Sequence, residues 1–334
     1  MAILPVGPAE TYTSVSGANA VASSADIIEL RADITESFVT DKQIAGIRSD
    51  ATKRTWTSDS GADCLSIPSG LTNSFFIENI IFEPSGTNAG GIRIQQTITG
   101  TANITVSGCD INLSASNQFP WTTATVGVSS GITIKKCVFD GGGSGGGLYA
   151  SIEVSTAVDS VVLQNNIFKN FLAQAALFNV NTNGGVSSLR MENCTFDNNG
   201  GGFWQNTFRN GTRGTFRNNL FTNSQGGQGD FSNQSEGNTD DFVNCGFGSE
   251  TGPFGTDNIF TIVANDEYVD ASGENFQLKS TAQSRDAGVT TSFNTDIIGT
   301  LRPQGSAYDI GAYEFIVALV PSASILGGIF LIKQ

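Results

Sequence analysis

A single short pattern recurs seven times through the middle of this chain, at a spacing close to 28 residues. Each copy reads apolar, two polar residues, then in most copies Cys or Asn, any residue, then Phe or Ile. The central column is Ile80, Cys109, Cys137, Asn166, Cys194, Asn219 and Cys245, in steps of 29, 28, 29, 28, 25 and 26. Three residues before each lies an apolar column: Ile77, Val106, Ile134, Leu163, Met191, Phe216 and Phe242. Two residues after each lies an aromatic-rich column: Phe82, Ile111, Phe139, Phe168, Phe196, Phe221 and Phe247. A fixed period of roughly 20–50 residues marks a solenoid, whose units bury their apolar face only by stacking on one another.

The local pattern sets the kind of solenoid. Around each copy, apolar and polar side chains alternate, as in Ile132, Ile134, Cys137 and Phe139. Period two belongs to strands. The segments are rich in Val, Ile, Thr and Phe and are bounded by Gly, Asn and Ser, as strands and their turns are. The chain is therefore expected to wind as a parallel β-helix, all-β, each strand pairing with its equivalent one coil along at about 4.8 Å. The Phe column then stacks into an axial core. An inward Asn166 or Asn219 can bond backbone groups of its own turn and of neighbouring coils.

Cysteine spacing agrees. Four of the five Cys share the central column. Cys137 to Cys194 and Cys194 to Cys245 are two coils each, roughly 9.6 Å and beyond disulfide reach. Cys109 and Cys137 are one coil apart, but stacked side chains point the same way. All five read as buried free thiols. There is no CxxC and no His, so neither a cofactor nor a metal site is expected. Gly is 40 of 334 residues and charged residues are 14 %, typical of a turn-rich all-β chain. Gly-rich stretches at 141–147, 184–185, 200–202 and 226–229 fall between the columns and read as loops. A net charge of −14 argues against a nucleic-acid or anionic-membrane partner, both of which favour a basic patch.

At the N-terminus, residues 1–5 show no basic stretch and no apolar run of signal length, so no export signal is expected there. Residues 14–24 read as a short Ala-rich helix before the strand Ile27-Ile28-Glu29-Leu30. A helix there would cap the open end of the core, as solenoids require.

The repeat stops near Phe260. The following segment carries Tyr268-Val269-Asp270, Asn275-Phe276-Gln277-Leu278, Asp286-Ala287-Gly288, Arg302-Pro303-Gln304-Gly305 and Asp309-Ile310-Gly311-Ala312-Tyr313-Glu314. It resembles the C-terminal module of bacterial and phage right-handed parallel β-helix proteins, including those of the "choice-of-anchor Q" type. The resemblance implies a right-handed helix with this segment as its last coils and cap, and it fixes no activity. The expected division is a cap and first coil (1–40), the β-helix (41–265), the C-terminal coils and cap (266–315) and an apolar tail (316–334). The tail is interrupted by Pro321 and is too short for a membrane span, which needs about 20 apolar residues. Its Ile325, Leu326, Ile329, Phe330 and Leu331 are expected to be covered by a partner, as an oligomer contact or docking strand.

Candidate chemistry is confined to the outward positions just after the aromatic column: Glu83, Asn112, Asp140, Lys169, Asp197 and Thr222. Asp140 and Asp197 would lie two coils apart, near the roughly 6.5–9.5 Å of an inverting glycosidase pair. The plainer reading is an Asp–Lys–Asp ladder on a solvated face, in which Lys169→Ala changes stability by no more than about 0.5 kcal/mol. Glu153, Asp230, Asp240 and Asp241 have no partner at readable spacing. Oxygen donors around Asp197-Asn198-Asn199 or Asp240-Asp241 could hold calcium, without the spacing of a dedicated loop. The expectation is a non-enzymatic structural protein of a phage virion, such as a capsid decoration protein, head fibre or short tail fibre. It would be homotrimeric, in contact with other virion proteins, and able to bind a host surface glycan. The alternatives are a tailspike-like glycosidase or lyase and a bacterial surface adhesin.

Overall fold

Each repeat folds as two short strands joined by one sharp bend, and the bend has a backbone cause. The residue just before the central column adopts the left-handed conformation in every repeat: Asn79, Gly108, Lys136, Asn165, Asn193, Asn218 and Asn244, with φ between 50° and 64°. Asn and Gly tolerate that region best, which explains why five of these seven positions are Asn. The apolar column lies on the strand before the bend and the Phe column on the strand after it.

The structure is a computed structural model. It describes residues 1–59, 61–67, 72–87, 89–94, 102–114, 119–123, 131–143, 160–171, 188–200, 203–205, 214–224, 231–233, 241–249 and 255–316. The strands before the bends form a ten-stranded parallel sheet running from Ile3–Val6 to Asp241–Val243. Those after the bends form a second ten-stranded parallel sheet, from Ile34–Thr35 to Ile259–Phe260. A third sheet holds Phe38–Val39, Leu65–Ile67, Gly90–Ile94 and Phe119–Thr123. The fold is a parallel β-helix.

Register is one coil per step. Val106 pairs with Ile134, Ile134 with Leu163, Leu163 with Met191, and Met191 with Phe216. Equivalent residues therefore lie directly over one another. The rings of Phe139, Phe168, Phe196, Phe221 and Phe247 stack nearly parallel at 4.8, 4.9, 4.6 and 5.2 Å between centroids. Cys109, Cys137, Cys194 and Cys245 are fully buried thiols, outside any disulfide. Burial pushes the Cys194 thiol up to about 12, which leaves it unreactive.

The inward Asn residues fasten one coil to the one before. Asn166 accepts from the Cys137 N–H at 3.0 Å and donates to the Ile134 carbonyl at 2.9 Å. Asn219 repeats this with Cys194 and Met191 at 3.0 and 2.9 Å. Asn258 takes the same role for the last coil, accepting from Cys245 N–H at 2.8 Å. At the first coil, the helix Val15–Val21 is capped by Ser14, whose hydroxyl accepts from Gly17 N–H at 3.0 Å. Its Val15 and Ala18 join the core cluster and close that end.

The segment after Phe260 does not extend the solenoid. The resemblance implies further coils; instead, the chain turns through Ala264–Glu267, forms an antiparallel hairpin of Tyr268–Asp270 with Asn275–Leu278, and folds back over the outside of the second sheet. The reason is chemical. Outward positions of that sheet are apolar here, and Ile167 and Leu220 pack with Ile262, Tyr268, Phe276, Leu278 and Ile310 as a second core. The bend column provides the track. Asn165, Asn218 and Asn244 each donate a side-chain N–H to a carbonyl of the returning segment at 2.7 Å, and Asn193 does so at 3.3 Å. Arg302, with its side chain wholly buried, pairs with Glu314 at 2.8 Å and donates to the Asp309 and Gly311 carbonyls at 3.1 and 2.9 Å.

Two stability effects follow. Phe168→Ala, in mid-stack, should cost about 3–5 kcal/mol in equilibrium denaturation; a loss below about 1 kcal/mol would mean the ring column is not the core. Arg302→Ala should cost a similar 3–5 kcal/mol, because it strands buried carboxyls. A neutral result there would show that the returning segment does not depend on this ion pair.

Candidate functional site

The outward column of the second sheet aligns Asn112, Asp140, Lys169, Asp197 and Thr222 in successive strands. Strand pairing thus sets Asp140 and Asp197 on either side of Lys169. Their environments differ. The Lys169 ammonium meets Asp140 Oδ2 at 2.8 Å and also Glu274, which arrives from the turn of the returning hairpin. Asn170, left-handed at φ 60°, donates its amide to Asp140 Oδ1 at 3.1 Å and to Glu274 Oε1 at 2.7 Å. Two carboxylates sharing the same two donors lie within about 6 Å of each other. Asp197 instead accepts from Thr222 Oγ1 at 2.6 Å and Asn223 Nδ2 at 2.9 Å, and Thr222 contacts the Tyr268 hydroxyl at 3.0 Å.

Exposure separates the acids. Asp197 is 5 % exposed beneath the returning segment, whereas the side chains of Asp140 and Glu274 are 22 % and 41 % exposed. Burial raises the Asp197 carboxyl above the ordinary range, outweighing its two hydrogen bonds. Asp140 is lowered: burial opposes this, but the Lys169 and Gly142 hydrogen bonds prevail. Lys169 is raised by the two carboxylates despite its burial, so it is a charged donor at neutral pH and not a base.

The sequence pairs Asp140 with Asp197 as the accessible acids. The structure brings Asp140 together with Glu274 instead. Lys169 is not a solvated rung either, since its side chain is 13 % exposed and bridges two segments. Nothing periodic marks Glu274, which lies 105 residues from Lys169; only the fold-back brings them together. Around Asp197-Asn198-Asn199 the amides are already committed: Asn199 holds Phe171 N–H and the Phe168 carbonyl, and Asn198 donates to Asn170. Among the described residues no group of three His, Cys, Asp or Glu could hold a metal ion, and no helix is long and apolar enough to cross a membrane. Glu153, Asp230, Asp240, the side chain of Asp241, much of the Gly-rich stretches, and Ile325, Leu326, Ile329, Phe330 and Leu331 lie outside the described residues.

Comparison with known proteins found no matching family model and no curated relative. Among solved structures the chain is similar to the pectate lyase Pel9A, at 12 % identity and a TM-score of 0.46, over 94 % of this chain and 96 % of that one. It is similar to the pectin methylesterase from Aspergillus niger in its deglycosylated form, at 13 % identity and a TM-score of 0.47, over 85 % and 92 %. The expectation of a non-enzymatic chain is set aside, since both similar structures are enzymes, while a likeness at this identity reaches no further than the fold.

The opposed shifts predict a pH signature. A raised carboxyl binds more protons folded than unfolded, so the Asp197 term adds stability as pH falls through its raised folded value toward about 3.9. The Asp140 term has the opposite sign: it is present above about 3.9 and is lost as pH falls through its depressed folded value. Asp197→Asn should therefore keep or raise the unfolding midpoint at neutral pH, and Asp140→Asn should lower it. The reverse order in thermal scans at pH 7 would contradict this assignment.

Proposed function

We propose that the chain acts on a polysaccharide by acid–base hydrolysis, at the cluster of Asp140, Lys169 and Glu274. One observation carries the reading: two partly exposed carboxyls from separate segments share one ammonium and one amide, at the margin of the covered part of the sheet. A separation under about 6 Å is compatible with a retaining pair, at about 5–5.5 Å, and too short for an inverting one, at about 6.5–9.5 Å. Asp140 stays ionised and serves as the nucleophile. Glu274 is the second carboxyl of the pair. Lys169, protonated, holds both in place. Lyase chemistry with Lys169 as the base is disfavoured by its raised affinity for the proton.

The test is release of reducing ends from a panel of neutral and acidic polysaccharides. Asp140→Asn and Glu274→Gln should each reduce turnover by about 100-fold or more with folding retained, and Asp197→Asn should leave it within a few-fold. No product from any polysaccharide with the wild-type chain, or loss confined to Asp197→Asn, would overturn the reading.

For its setting, the reading rests on the resemblance of 266–315 to phage and bacterial-surface β-helix proteins, whose motif residues Asp309, Arg302 and Glu314 form one buried network here. We propose a tailspike-like role on a virion, as a homotrimer in contact with other virion proteins. Peptide mass spectrometry of purified DNA-containing particles should find the chain in fixed copy number; finding it in the cell envelope alone would favour the adhesin alternative.

A further inference from the structure

A polar pocket lies toward the N-terminal end of the solenoid, on the third sheet, away from the acid–base cluster. Ser37, Phe38, Val39, Gly61, Ala62, Asp63, Ser66 and Arg93 line a cavity of about 440 Å³, within the usual size of ligand sites. Strand register builds it. Val39, Ser66 and Arg93 are equivalent positions on three successive strands, so they stand in a row roughly 9.6 Å long.

The row is amphipathic. Val39 is 55 % exposed and gives the row an apolar end. At the other end stands Arg93, 34 % exposed, with Asp63 behind it at 8 %. Asp63 is fixed by the Gly90 N–H at 2.8 Å and the Ser66 hydroxyl at 3.3 Å. Arg93 Nε lies 2.9 Å from Asp63, yet its N–H is misaimed and makes no hydrogen bond. Among the described residues, Asp63 is the ion-pair partner of this guanidinium. A guanidinium carries five N–H donors in a planar fork that suits a planar carboxylate. Gly61, at φ 76°, leaves open space on the same wall.

We propose that this pocket is a binding subsite for an acidic sugar unit of a polysaccharide, with the carboxylate on Arg93, a hydroxyl on Ser37, and the apolar ring face on Val39. A bare anion would have no use for the Val39 end, and a neutral sugar none for Arg93. In a chain of net charge −14, a docking point for an acidic glycan must be local and specific. The choice of ligand class rests on the polysaccharide reading above, but the site is separate from the hydrolytic cluster.

The test is calorimetric titration with hexamers of galacturonate and of mannuronate, alongside their carboxyl-reduced counterparts and inorganic sulfate. The wild-type chain should bind at least one uronate hexamer and prefer it to its reduced form. Arg93→Gln should weaken that binding by about 10- to 100-fold. Val39→Asp, at an exposed position, should weaken it by about tenfold through repulsion, and unfolding midpoints would verify that both variants fold. Binding untouched by Arg93→Gln, equal binding of reduced hexamers, binding of sulfate as tight as of uronate, or no binding of either uronate would overturn the proposal. Uronate binding that depends on Arg93 in a chain without turnover would sink the hydrolase reading and leave this one standing. Turnover lost in Asp140→Asn, with binding indifferent to Arg93, would do the reverse.

Discussion

Parallel pairing at one coil per step places like over like, and the rest of the molecule inherits that constraint. A Phe repeated every 28 residues or so becomes a stack of rings at 4.6–5.2 Å. An Asn repeated in the same way becomes a bracket between neighbouring coils. The register holds only because every repeat bends at the same place, and the bend depends on a residue willing to be left-handed. Dispersion between rings contributes little per atom and much in sum, while the Asn brackets satisfy backbone groups that would otherwise be buried without partners.

The outer surface is governed by the same repetition. On the second sheet, Asp140, Lys169 and Asp197 are neighbours because they occupy one column. Their chemistry diverges because the returning segment covers the face unevenly. Asp197 lies under Tyr268 and is pushed toward its neutral form; Asp140 lies at the margin and remains ionised. Covering a row of like positions part of the way along is a simple means of giving identical side chains different proton affinities.

Much of the fold was legible in the sequence, because a solenoid writes its core as a period. The column from Cys109 to Cys245 and the Phe column could be read without structure, as could the outward place of Asp140 and Lys169. What could not be read lies off the period. The left-handed Asn column is visible in hindsight as the residue before each Cys or Asn, but its outward side chains look like ordinary turn residues. The fold-back of 261–315 has no local signal. Its hydrophobic residues suit a further coil equally well, and only the apolar outward positions Ile167 and Leu220 hint that the second sheet needs a cover. Glu274 and Arg302 act through contacts more than 100 residues distant in the chain, and such contacts leave no spacing to count.

The strap of returning chain has a consequence for how the molecule comes apart. An untied stack of coils behaves as a one-dimensional array and frays from either end. Here the Asn track binds four successive bends to a single segment, so the coils beneath it must open together or not at all. Among the described residues, the coils nearer the helix Val15–Val21 carry no such Asn tie. Local opening should therefore begin at the N-terminal end and spread inward, with amide protection rising stepwise at the first strapped coil. A repeat protein of uniform sequence period is in this way divided into a labile half and a locked half, and the boundary is set by where a non-repeating segment happens to lie.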